Sequence, residues 1–287
     1  MLAEITLTPS ESKKLISMAI LKLPEVQRAL NNGIVALHPS SNTVFIYKEI
    51  LGQWPQGLWV CGLIAPVGLC GSLEMVKMRE ARGPGKHDPG KALQTWFFKK
   101  GILQKQTPLN EILNQMGPED VYIKAVNALD PQGNAGVLYS NPSRGGTIGV
   151  VLGAQRKKKF HLLLAVGLEK LIPISIAEAS QKAKRMKVDW AMGMACGLIP
   201  VSGEKIDEVR AFDILTGTNA TPIAAGGLGG AEGSIVLALD GTETKVQTSL
   251  SMIKTIKGAK LPVLNLPDCD SCHNPGCYLV SDRGKAD

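Results

Sequence analysis

Three thiols and an imidazole fall within nine residues near the end of the chain: Cys269, Cys272, His273 and Cys277. Thiolate sulfur and imidazole nitrogen are favoured zinc ligands, and three cysteines completed by a ligand from elsewhere suit an iron–sulfur site. Cys-x-x-Cys is also the spacing of a redox-active thiol pair, and Cys-x-x-Cys-His that of c-type haem attachment. Haem attachment requires export, and the stretch Met1–Lys14 carries no apolar run of signal-peptide type. Zinc, iron–sulfur or thiol redox chemistry is therefore what the pattern predicts. An inert tail could be written with the same residues.

Two glycine-rich stretches could carry other chemistry. Asn141, Ser143, Arg144, Gly145, Gly146 and Thr147 follow an apolar piece and open a helical pattern. Open N–H groups at a helix start bind anions, glycines let an anion approach the backbone, and Arg144 would add a forked donor. A plain glycine-rich helix start with an exposed arginine has the same spelling. Neither a Walker motif nor GxGxxG spacing is present. In the second stretch, Gly227, Gly229 and Gly230 lead to Glu232, the only ionisable side chain between Asp213 and Asp240. A carboxylate there could act as general base or nucleophile; the alternative is a wide hairpin turn with Glu232 in solvent. Ser40, Ser41 and Thr43 form a third candidate ligand loop, after an apolar strand.

The remaining candidates are weaker. Cys61, Cys70 and Cys196 lie in apolar context and read as core thiols. His38 sits at a strand's end, where ligands gather in open α/β sheets, but packing explains it equally. His87 reads as a solvated loop residue and His161 as structural. No Ser–His–Asp or nucleophile-elbow pattern is present.

The elements that must position these residues show in the periodicity. Thr8-Pro9-Ser10-Glu11 is a capping box ahead of a helix carrying Leu15, Ile16, Ala19, Ile20 and Leu23. A second short helix runs from Pro24 to Gly33. Strands are predicted at 34–37, 121–126, 160–166 and 235–239. Helices are predicted at 44–51, 108–115, 145–159, 175–187, 204–215 and 242–257. Residues 79–91 read as a basic loop, with antiparallel strands near 58–64 and 94–103. The alternation predicts an α/β fold with a mostly parallel sheet. It forms a single domain over 1–261, with an insertion at about 53–107 and a cysteine-bearing tail at 262–287.

Composition narrows the partners. The 287 residues are 44% apolar and 20% charged with net charge +7, but the excess is local, in runs such as Arg156–Lys159. Only 5% of residues are aromatic, so a base-stacking surface for nucleic acid is not expected. No stretch approaches the roughly 20 apolar residues of a membrane span. A cytosolic protein with reduced thiols and a small anionic partner is the expectation.

The run from Leu164 to Pro173, Leu-Ala-Val-Gly-Leu-Glu-Lys-Leu-Ile-Pro, resembles the strand and turn of LUD (lactate-utilisation) domains, part of the NagB/RpiA/CoA-transferase-like fold group. The N-terminal order of helices, strand and Ser/Thr turn is similar to that group. Asn127 to Asp130, with Asn141 to Thr147 behind, stand where these folds place ligand loops. Gly227 to Glu232 resembles the Gly-x-Gly-Gly acyl-CoA loop of the CoA-transferase and hydrolase branch, although Ala231 replaces the usual Gln. The catalytic-glutamate motif of CoA-transferases and the Asp-Gly-Ala-Asp-Glu run of ribose-phosphate isomerases are not found. The resemblance implies a phosphorylated metabolite, carboxylate or CoA thioester as ligand, isomerase, transferase or hydrolase chemistry, and a homodimer. The alternative is a non-catalytic accessory protein that uses its cysteines for a metal or redox partner.

Overall fold

The computed structural model describes residues 1–82, 88–141, 143–183, 188–274 and 276–283. Strand β1 (Leu2–Leu7) precedes helix α1 (Pro9–Lys22). The capping box forms: Thr8 Oγ1 accepts the Glu11 N–H at 3.4 Å and the Glu11 carboxylate accepts the Thr8 N–H at 2.9 Å. Next come α2 (Pro24–Asn32), β2 (Ile34–Leu37) and α3 (Thr43–Leu51). A hairpin of β3 (Cys61–Ala65) and β4 (Gly68–Gly71) leads into α4 (Leu73–Arg82), which begins inside the region read as irregular. His87 and the rest of 83–87 lie outside the described residues.

Strands β5 (Trp96–Lys99) and β6 (Ile102–Leu103) then form, followed by α5 (Leu109–Gln115) and β7 (Val121–Ala125). After β8 (Ala128–Leu129) and β9 (Ala135–Tyr139) come α6 (Gly146–Lys158), β10 (His161–Ala165) and α7 (Ile176–Lys182). β11 (Gly197–Val201) and β12 (Glu204–Ile206) precede α8 (Glu208–Thr216). The helix expected from Glu204 thus starts four residues later, because Asp207 caps it by accepting the Arg210 N–H at 2.8 Å. β13 (Asn219–Gly226), β14 (Ser234–Asp240), α9 (Glu243–Ile256) and α10 (Tyr278–Arg283) complete the chain.

The central sheet is mixed, in the order β12-β10-β7-β2-β5-β6. Parallel pairing is confined to β12, β10, β7 and β2, while β5 and β6 add antiparallel. These two strands, expected in an insertion, instead extend the main sheet. Antiparallel sheets β1-β14-β13 and β11-β9-β8 flank it, and β3-β4 stands apart.

The period-2 alternation of side chains distributes the sheet between two cores. Val35, Leu37, Val121, Ile123, Leu163 and Ala165 face α1, α8 and the β1-β14-β13 sheet. Ile34, Ala36, Tyr122, Leu162 and Leu164 face α5, α6 and β9. The connection after β2 leads to α3 on the first side, and the one after β7 leads to β9 and α6 on the second. Such a divergence opens a crevice at the carboxyl ends of the two strands. No helix among the described residues is long and apolar enough to cross a membrane.

Candidate functional site

A crevice open to solvent lies at that divergence. The same alternation that buries Ala36 and Tyr122 carries the next same-face residues, His38 and Lys124, to its floor. They follow directly on the Leu37–Ile123 pair of two parallel strands and are 7% and 9% exposed. His38 Nδ1 lies 3.1 Å from the Tyr122 hydroxyl. Burial, reinforced by the Lys124 cation, holds the His38 imidazole well below its usual range, so it is neutral near pH 7. Burial likewise pushes the Tyr122 phenol up.

The walls come from β9, α6 and the segment containing the β3-β4 hairpin. Asn141, Gly146 and Thr147 line the crevice at the start of α6, whose N-cap Gly145 makes no side-chain cap. Arg144, Gly145 and Gly146 have φ of 51°, 69° and 68°, a left-handed run that glycine tolerates and that strains Arg144. Arg79 from α4 donates to Ser140 Oγ at 3.1 Å and to Met194 Sδ at 3.2 Å. The buried Trp59 Nε1 and Gln94 Oε1 lack hydrogen-bond partners among the described residues, and both side chains line the crevice. Cationic groups, a helix start and unmatched polar atoms are what an anion with additional polar groups would engage.

The other expected ligand residues take different places. Arg144 is exposed and pairs with Asp88 at 3.3 Å, and Ser143 N–H bonds Asn141 Oδ1 at 2.9 Å. Thr43 is buried and donates to the His38 carbonyl at 2.6 Å, while Ser40 Oγ accepts the Thr43 N–H at 3.1 Å. Together they brace the turn that carries His38. Ser41 is half-buried beside them. None of Arg144, Ser40, Ser41 and Thr43 is among the crevice-lining residues described.

Gly227, Gly229 and Gly230 form the exposed turn of the β13-β14 hairpin, with φ of 127°, 64° and 92°. Glu232 is exposed there and accepts the Gly230 N–H at 3.0 Å. This hairpin belongs to a flanking sheet, so the three loops expected to build one crevice are not brought together. The Leu168–Lys170 turn that follows β10 is a buttress. Glu169 pairs with Lys13 at 2.6 Å, Lys170 donates to the Val126 carbonyl at 2.7 Å, and Leu168 N–H bonds Glu208 at 2.9 Å.

The tail cysteines gather elsewhere. Cys269, Cys272 and Cys277 line a cavity together with Cys70 of β4. His273 is exposed, is not among the lining residues, and its N–H bonds Glu80 at 2.9 Å. Burial pushes the Cys70 and Cys272 thiols up, and the neighbouring sulfurs add to it. No three His, Cys, Asp or Glu among the described residues are grouped to hold a single metal ion.

Sequence reasoning did not find Lys124, Arg79 or Trp59 as site residues, and it read Cys70 as a core thiol. A cation inside the apolar strand 121–126 was the available signal for Lys124. No local signal marks the others, because distant segments supply their neighbours. In comparisons with family models, curated proteins and solved structures, no match to this chain is found.

Proposed function

We propose that the crevice binds a small anionic metabolite: a phosphorylated metabolite, a carboxylate or a CoA thioester. The observation that carries this reading is a pair of cations, Lys124 and Arg79, in a crevice whose described lining includes no carboxylate. Charge-assisted hydrogen bonds to an anion are strong in such a partly desolvated site. The Trp59 donor and Gln94 acceptor favour a ligand bearing further polar groups, such as a hydroxyl. His38, neutral, supplies a hydrogen-bond partner and not a third charge.

The same reading takes the fold as NagB/RpiA/CoA-transferase-like, nearest to LUD domains. It is supported by the Gly167–Pro173 resemblance and by a crevice at the carboxyl ends of parallel strands. It gives Glu232 no part in binding.

Thermal-shift titration with inorganic phosphate, a sugar phosphate, a 2-hydroxy acid and a CoA thioester tests the proposal. At least one of them should raise Tm. Lys124→Met should weaken that ligand by about tenfold or more. Arg144→Ala and Glu232→Ala, both exposed, should stay within about twofold. The absence of any shift, or one that survives Lys124→Met intact, would overturn the reading.

A further inference from the structure

We infer that Cys70, Cys269, Cys272 and Cys277 ligate an iron–sulfur cluster of the four-iron, four-sulfide type. The inference is independent of the anion crevice and rests on a different part of the molecule.

Four thiols from two stretches nearly two hundred residues apart line one cavity. All four are free of disulfides. Among the described residues no trio is grouped for a single ion, and the four cysteines instead line one common space. That is the demand of a cubane cluster, in which each cysteine binds a different iron at a different corner. Val67, Leu69, Pro267 and Val280 complete a largely apolar wall, and such a shell limits solvent access to a cluster. Each thiol gives up its proton as its sulfur–iron bond forms.

The backbone is arranged to hold the two stretches together. Leu69 accepts the Met194 N–H at 2.8 Å and donates to the Met192 carbonyl at 3.0 Å. Met194 in turn forms a β-bridge with Cys277, and Tyr278 N–H bonds Gly193 O at 2.8 Å. Residues 192–194 thus tie the β4 thiol to the tail thiols. The tail spacing Cys-x-x-Cys-x4-Cys supplies three ligands and leaves the fourth to a remote residue, the place that Cys70 takes.

The test uses the full chain, purified anaerobically and reconstituted with ferric iron, a thiol reductant and sulfide. Wild type should carry about four iron and about four acid-labile sulfide per chain, with visible absorption that bleaches on reduction. Cys70→Ser and Cys272→Ser should each fall below about one iron per chain, while Cys196→Ser, outside the cavity, should match wild type. Should Cys70→Ser fail to fold, alkylation mapping of wild type decides. Cys70 should be protected in iron-loaded protein and become reactive after chelation. Stoichiometric zinc with no iron uptake, full iron in a folded Cys70→Ser variant, or free alkylation of Cys70 in loaded protein would overturn the assignment.

Discussion

His38 and Lys124 stand side by side at the carboxyl ends of two adjacent parallel strands, on the same face, both almost fully buried. Burial and the Lys124 cation beside it keep the imidazole neutral, and its Nδ1 lies 3.1 Å from the Tyr122 hydroxyl. Tyr122→Phe would leave a buried ring nitrogen without that partner. The expected cost is about 1–3 kcal/mol, read by urea denaturation at neutral pH. A change below about 0.5 kcal/mol would show that the pair contributes little.

The buttress beneath the Leu168–Lys170 turn makes stability depend on pH. Burial of the Glu208 carboxylate, with Asp207 adding, raises it from 4.5 to about 7. Between those values the folded protein binds more protons than the unfolded chain, so this group's contribution is full below about pH 4.5. It is lost as pH rises to about 7, roughly 3 kcal/mol in all. Glu208→Gln keeps an acceptor for Leu168 N–H and should flatten that part of the profile. Urea midpoints across this pH range check it; an unchanged slope would remove Glu208 as the cause.

Two glycines should respond oppositely to alanine. Gly193 has φ of 88°, and a Cβ there would overlap the Leu69 carbonyl. Gly193→Ala should therefore separate residues 192–194 from β4, and alkylation of Cys272 under native conditions should accelerate by about tenfold or more. Gly153 lies inside α6 with open space around it. Gly153→Ala should raise stability by about 0.5–1 kcal/mol and leave thiol reactivity unchanged. Equal alkylation rates in both variants would contradict the role given to Gly193.

Local interactions were legible in the sequence. The Thr8–Glu11 capping box, the first two helices and the apolar strand Ile34–Leu37 depend on residues a few positions apart, and they formed where they were read, whereas the helix read from Glu204 begins at Glu208, and 184–187 of the helix read at 175–187 lie outside the described residues. β13 was not read because it is an exposed strand with only Ala220 buried, so it carries no alternation. The crevice was half legible. Asn141, Gly146 and Thr147 were named from a glycine-rich helix start, whereas Lys124, Arg79 and Trp59 depend on where separate segments lie. The sequence by itself determined the α/β character, several of its helices and strands, and a three-cysteine tail motif. Only the tertiary structure decided that His38 meets Lys124, that Glu232 stands in solvent, and that Cys70 faces the tail cysteines. Those outcomes follow from strand register and from the packing of segments far apart in the chain, which residue type and local spacing do not encode.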